Sequence, residues 1–142
     1  MSKEVAELLK EWQPNPGTSK EVVERVQSEL GIVFPQDYTE LMEWSNGGEG
    51  WIGESYLQLW LMEEIPWNNE SVGALKFAPG VIFFGGDGGG MQYGFDTHFD
   101  PLAIVEVDAV SIGLEEDTVV HRISFTEFLQ LLHKQRYEEI DT

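Results

Sequence analysis

The chain contains no cysteine. That excludes disulfide staples, a thiolate nucleophile and cysteine-ligated zinc. It is also poor in basic residues, with 8 Lys and Arg against 26 Asp and Glu and a net charge of −18. Between Arg25 and Arg122 the one such residue is Lys76. A middle with so few cations has little to set against phosphate, which opposes binding to DNA, RNA or anionic lipid. No apolar run approaches the roughly 20 residues that cross a bilayer. The opening residues, MSKEVAELLKEW, read as an amphipathic helix start and not as a signal peptide, so the cytoplasm is the expected compartment.

What is present is apolar and aromatic. The 142 residues are 42% hydrophobic, with five tryptophans and eight phenylalanines. That is enough for one core and too little chain for two, so residues 1–142 are expected to form one domain. The acidic surplus suits a basic protein partner, because a surface of one sign steers molecules of the other. The same charge also serves solubility alone.

Helical periodicity opens the chain. Val5, Leu8, Leu9 and Trp12 recur at helical spacing behind a capping Ser2, and Gln13–Gly17 stops them with two prolines and a glycine. Thr18 and Glu21 have capping-box spacing for a second helix with Val22, Val23, Val26 and Leu30 inward and Gly31 as its stop. Pro35 fits the first turn of a third helix, which carries Tyr38, Leu41 and Met42 and ends at Asn46-Gly47-Gly48. The pattern then alternates. Leu57, Leu59 and Leu61 against Tyr56, Gln58 and Trp60 predict a strand over 56–62. Further strands are predicted over 81–84, 91–96, 102–107 and 118–123, with a short helix and a crossing loop between 63 and 80. Ser124 and Glu127 then cap a final helix packed by Phe128, Leu129, Leu131 and Leu132. Helices bracketing a run of strands imply α+β: a twisted, mostly antiparallel sheet flanked by N-terminal helices and a C-terminal helix.

The most distinctive stretch is Ile82–Asp96, where two apolar runs flank Gly85, Gly86, Asp87, Gly88, Gly89 and Gly90. Glycine enters positive φ at little cost, so the segment reads as a tight β-hairpin. Together with two other segments it resembles the SUKH superfamily of bacterial toxin-immunity proteins and fungal cell-wall-assembly regulators. Phe34–Gly48, FPQDYTELMEWSNGG, resembles the family's opening through Pro35, Asp37 and Tyr38 and its closing Asn46, Gly47 and Gly48. Phe84–Asp96, FGGDGGGMQYGFD, is similar to its Gly/Asp-rich hairpin ending in an aspartate, here Asp96. Ser124–Leu132 is like its closing helix. Phe34 stands where leucine is more usual, and 68–78 carries no family signature. The resemblance implies one α+β domain, no catalysis, no cofactor, and a partner that is a protein, typically a toxin and often a nuclease. A regulatory or scaffolding domain without a toxin is the alternative.

The residues themselves hold little catalytic chemistry. Asp87, Asp96 and His98 could bind a divalent cation for a small metal-dependent hydrolase, but their spacing matches no established metal loop. Turn-stabilising roles for the two aspartates account for them as well. The glycine loop has no Lys, Arg, Ser or Thr to hold a phosphate, and the serines lack a nucleophile-elbow context. Partner binding has better raw material. Trp51, Trp60 and Trp67 sit in sequence near Glu49, Glu54, Glu63 and Glu64, and Asp100 and Glu115-Glu116-Asp117 add further acidic positions. Core packing is the competing role for each tryptophan.

Overall fold

The computed structural model describes residues 1–108 and 118–140, with side chains through Lys134. Its organising element is one seven-stranded sheet in chain order, every neighbouring pair antiparallel. The strands are β1 (Trp12–Pro14), β2 (Gly48–Ile52), β3 (Ser55–Leu59), β4 (Val81–Gly86), β5 (Met91–Asp96), β6 (Ala103–Asp108) and β7 (Thr118–His121). The helices are α1 (Lys3–Leu8), α2 (Lys20–Leu30), α3 (Gln36–Trp44), α4 (Ile65–Ser71), α5 (Ala74–Phe77) and α6 (Phe125–Ile140), with a 3-10 turn at Met62–Glu64. This is the α+β arrangement expected.

Most of the helices stack on one face, where the main core lies. Tyr38 is its hub, fully buried, with ring contacts to Phe34, Phe84, Phe95 and Phe125 at centroid distances of 5.1–5.7 Å. Such pairs contribute about 0.5–1.5 kcal/mol each beyond the area they bury. Burial pushes the Tyr38 phenol well above its ordinary value. α6 adds Phe125, Phe128, Leu129 and Leu132, and its start forms the expected reciprocal cap. Ser124 N–H donates to Glu127 Oε1 and Glu127 N–H to Ser124 Oγ, both at 3.0 Å.

A smaller core covers part of the far face. Ala74, Phe83, Val105 and Val107 pack there beneath α4 and α5. Asn69 of α4 ties this layer to the sheet: its side chain accepts from Phe83 N–H at 2.7 Å and donates to Phe83 C=O at 2.9 Å.

Several local expectations are corrected. Trp12 does not continue α1, which ends at Leu8; it opens β1 and faces Gly50 across the ladder. Its indole N–H donates to Ser45 Oγ at 3.3 Å, so a tertiary contact overrides the helical spacing. The cap of α2 is Ser19, whose Oγ accepts from Val22 N–H at 3.2 Å, and not Thr18. Pro35 precedes α3 as its N-cap instead of occupying the first turn. β3 stops at Leu59; Trp60 N–H still donates to Phe84 C=O at 3.0 Å, but Leu61 leaves the sheet as the N-cap of the 3-10 turn at Met62–Glu64. β2 is a strand that its glycine-rich sequence hid. Gly50 is required by the close approach of Trp12, whose Cα would lie 3.0 Å from an added Cβ.

Candidate partner-binding face

The far face is only partly covered. α4 and α5 shield β4–β6, while on β2 and β3 the side chains pointing away from the main core form a separate surface. Strand alternation decides its members. Ile52, Leu57 and Leu59 enter the main core, so Glu49, Trp51, Tyr56 and Gln58 point the other way. The register sets Glu49 opposite Gln58 and Trp51 opposite Tyr56. Gln58 Nε2 donates to Glu49 Oε2 at 2.7 Å. The Trp51 and Tyr56 rings meet edge to face, 5.0 Å between centroids. Trp51 remains 51% exposed. Partial burial, then the hydrogen bond and charge of Glu49, raise the Tyr56 phenol above its ordinary value.

A groove of about 500 Å³ runs beside these residues, lined by Gln13, Glu49, Gln58, Trp60 and Glu64 among others, with no Lys or Arg in its lining. The tip of the β4–β5 hairpin borders the same surface: an added Cβ on Gly88 would lie 3.2 Å from the Tyr56 ring. Gly88 has φ +80°, the left-handed conformation that the turn demands of one of its glycines. Asp87 Oδ1 accepts from Gly89 N–H at 2.8 Å and Met91 N–H at 3.1 Å, which fixes the turn. Behind it, Gly85 lets β4 approach β3, since an added Cβ would fall 2.1 Å from Gln58 C=O.

The structure therefore brings Glu49, Trp51 and Glu64 to one surface, with Tyr56, Gln58 and Trp60 between them. The latter three are legible as one side of the alternation predicted over 56–62; Trp60 also reads as hot-spot material, whereas Tyr56 and Gln58 carry no binding signal in sequence. Glu54 is exposed in the adjoining β2–β3 turn, and Trp67 is 67% exposed on α4. Glu63 accepts from Asn46 Nδ2 through both oxygens, at 3.2 and 3.0 Å, so it is engaged in holding the chain. Asp100 lies at the opposite end of the strands, in a groove with Pro35, Arg122 and Glu127. Glu115, Glu116 and Asp117 lie outside the described residues.

The motif residues sit in the frame. Asp37 Oδ1 accepts from Tyr38 N–H at 3.0 Å, while Oδ2 accepts from Thr126 N–H at 2.8 Å and Thr126 Oγ1 at 2.9 Å, joining the starts of α3 and α6. Asn46 Oδ1 accepts from Met62 N–H at 2.8 Å. Gly47 and Gly48 have φ of +68° and +114° where α3 passes into β2. Asp96 Oδ1 accepts from His98 N–H at 2.9 Å and pairs with His98 Nδ1 at 2.6 Å. Asp96 pairs across the ladder with Val81 at the base of the hairpin, whereas Asp87 is at its tip. Five or so residue steps, about 16 Å at 3.3 Å per residue, separate the two carboxylates, which rules out the joint Asp87–Asp96–His98 cation site. Among the described residues no three of His, Asp and Glu gather as a metal site, and no helix is long and apolar enough to cross a membrane.

No curated protein matches the chain significantly. The family comparison covers the first two motif segments whole and the third as far as Leu131. Its profile covers residues 17–131, from the approach to α2 into α6, and the chain belongs to the SMI1 / KNR4 family (SUKH-1).

Proposed function

We infer that the protein is a non-enzymatic binding domain, an immunity protein that occupies and neutralises a cognate basic toxin domain. The observation that carries this reading is the uncovered β2–β3 face, where half-exposed Trp51 stands on Tyr56 beside Glu49 and an acid-lined groove. An aromatic anchor with carboxylates on the same face matches what a cationic protein surface needs: apolar area to bury and opposite charge to steer the encounter. Family membership supports an immunity or regulatory role. A nuclease cleft, built to hold phosphate, would supply the positive charge.

The test is binding kinetics against any toxin domain found encoded beside this gene. Trp51→Ala is expected to weaken Kd by about 30-fold, the effect of losing a hot spot worth about 2 kcal/mol. Glu49→Gln with Glu64→Gln is expected to lower the association rate. Wild-type association is expected to slow as salt shortens the screening length from about 8 Å at physiological ionic strength. Unchanged affinity in all these variants would remove this face from the interface. A gene neighbourhood without any toxin would favour the regulatory alternative.

A further inference from the structure

β3 pairs with β4 only at Gly85 and Gly86, so on that side the start of β4, Val81 and Ile82, has no strand beside it. A groove of about 780 Å³ is lined by these two residues, by Leu30 and Ile32 at and just after the end of α2, and by Leu75 of α5. Small-molecule sites fall in the range of about 300–1,000 Å³ and combine apolar walls with a few polar groups. The polar side chains in this lining are Asn69, Glu70, Lys76 and Thr97. Three of them are already engaged. The Asn69 amide is spent on the backbone of Phe83 and Ile65. Thr97 Oγ1 donates to Gly80 C=O at 2.7 Å. The Lys76 ammonium lies 5.2 Å from the centroid of the Phe77 ring, which is not part of the lining. Glu70 is exposed and makes no ion pair among the described residues.

We propose that this groove is a binding site for a small amphipathic cation, a molecule with an apolar alkyl or aryl body and one ammonium group. The apolar walls take the body. Two features of the lining select the charge of the head. The first is Glu70, whose carboxylate stands at the rim without a cation. The second is the end of α2. Gly31, also in the lining, closes that helix with a left-handed φ of +72°. The N–H groups of Gly31 and Ile32 both go to Gln27 C=O, at 2.8 and 3.1 Å. The next three C=O groups, of Ser28, Glu29 and Leu30, form the negative end of the helix dipole, and no basic residue stands in the last turn to offset it. An ammonium is attracted by both features, and a carboxylate is repelled by both. The net charge of −18 acts in the same direction. Lys76 is the one opposing charge in the lining, and it is held on the Phe77 ring. None of the lining residues belongs to the β2–β3 face, so the two sites are separate.

Octylammonium, octanol and octanoate share one chain and differ in the head, so titration of the full chain with each, followed by amide NMR shifts, tests the site. Octylammonium is expected to bind saturably, with shifts at Gly31, Leu75 and Ile82. Hexylammonium is expected to bind about fifteenfold more weakly, at about fourfold for each CH₂ taken from water. A charge contact at an exposed position is worth up to about a factor of five, so octanol is expected to bind about fivefold more weakly and octanoate about tenfold or more. Glu70→Gln is expected to keep the wild-type melting temperature, weaken octylammonium about fivefold and leave octanol unchanged. Glu11→Gln removes the same charge at an exposed position outside the groove and is expected to bind like wild type. Absence of saturation by octylammonium up to about 10 mM would overturn the site. So would octanoate binding equal to octylammonium, shifts confined to other residues, or an equal loss of affinity in the Glu70 and Glu11 variants.

Discussion

Asn69 completes the backbone pairing of β4 where β3 leaves it. β3 meets β4 only at Gln58↔Gly86 and Leu59↔Gly85, after which Trp60 N–H reaches Phe84 C=O. The next residue, Phe83, is fully buried, and its N–H and C=O on that side are both satisfied by the Asn69 amide, which also donates to Ile65 C=O at 2.8 Å. Asn69→Ala strips both backbone groups of their partner. Each buried group so left costs about 1–3 kcal/mol, giving about 3–4 kcal/mol for the pair after partial relaxation. For a domain of this length, at about 3 °C per kcal/mol, that is a loss of about 10 °C in melting temperature. Asn69→Asp adds a pH signature. Its carboxylate still accepts from Phe83 N–H, but its other oxygen faces a carbonyl and the charge is buried, so its folded pKa is raised above the ordinary 3.9 or so. The deficit relative to wild type is then smallest below about pH 4 and grows as pH rises through the raised folded value. Thermal and urea melts of the three proteins across this range provide the assay. Asn69→Ala melting within about 2 °C of wild type, which is under 1 kcal/mol, would refute the bridging role. So would a deficit in Asn69→Asp that ignores pH.

Gly88→Val is expected to destabilise by about 1–2 kcal/mol because it forces a β-branched residue into left-handed backbone against Tyr56, whereas Gly90→Ala, with open space around its Cβ, is expected to melt with wild type. Asp37→Ala removes the acceptor of three hydrogen bonds and is expected to cost about 2 kcal/mol; in a double-mutant cycle with Thr126→Val the two losses are expected to be less than additive. Tyr38 and Tyr93 are held above their ordinary value of 10.0, Tyr38 by burial and Tyr93 by burial and then the charges of Glu106 and Asp87. The folded state therefore favours the neutral phenols, a contribution fully present below about pH 10 and lost above it. Phenolate absorbance of these two tyrosines is expected to appear together with alkaline unfolding; their ionisation in a protein that keeps its native circular dichroism would contradict the burial argument.

Elements governed by local chemistry were legible in the sequence. The Ser124–Glu127 cap, the Gly31 stop and the two arms of the hairpin, expected over 81–84 and 91–96 and found at Val81–Gly86 and Met91–Asp96, need only neighbouring residues to specify them. What escaped depends on contacts far along the chain. Trp12 has helical spacing behind Val5 and Leu8, yet its place is set by Ser45 and Gly50, more than 30 residues away. GEGWI reads as a loop until Trp12 is laid across its glycines. Asn69 falls in a segment with no family signature, and nothing local distinguishes it from Asn68, because its partner is a backbone group on another strand. The candidate face was half legible for the same reason. Trp51 and Glu49 stood out as aromatic and acid, but that they share a side with Tyr56 and Gln58 is a property of the β2–β3 register.

The division between frame and face has a consequence for recognition. Asp37, Asn46 and Asp87, three polar residues that carry the family resemblance, each accept backbone N–H groups from loops or from another helix. Replacing any of them exposes unsatisfied donors, so their chemistry is fixed by the fold itself. Trp51, Glu64 and Trp67 are exposed, and Glu64, though it is the N-cap residue of α4, makes no side-chain cap bond. Surface positions of this kind can change at little cost to stability, typically within about 0.5 kcal/mol. A scaffold built this way can keep one set of hydrogen-bond acceptors while, on the proposed reading, the β2–β3 face is rewritten for a different basic partner. Affinity for the partner and stability of the fold should then respond to different residues. That separation is what the Trp51 and Asp37 variants measure when both are put through melting and binding assays: Trp51→Ala moves binding alone, while Asp37→Ala moves stability first and binding only as the folded fraction falls.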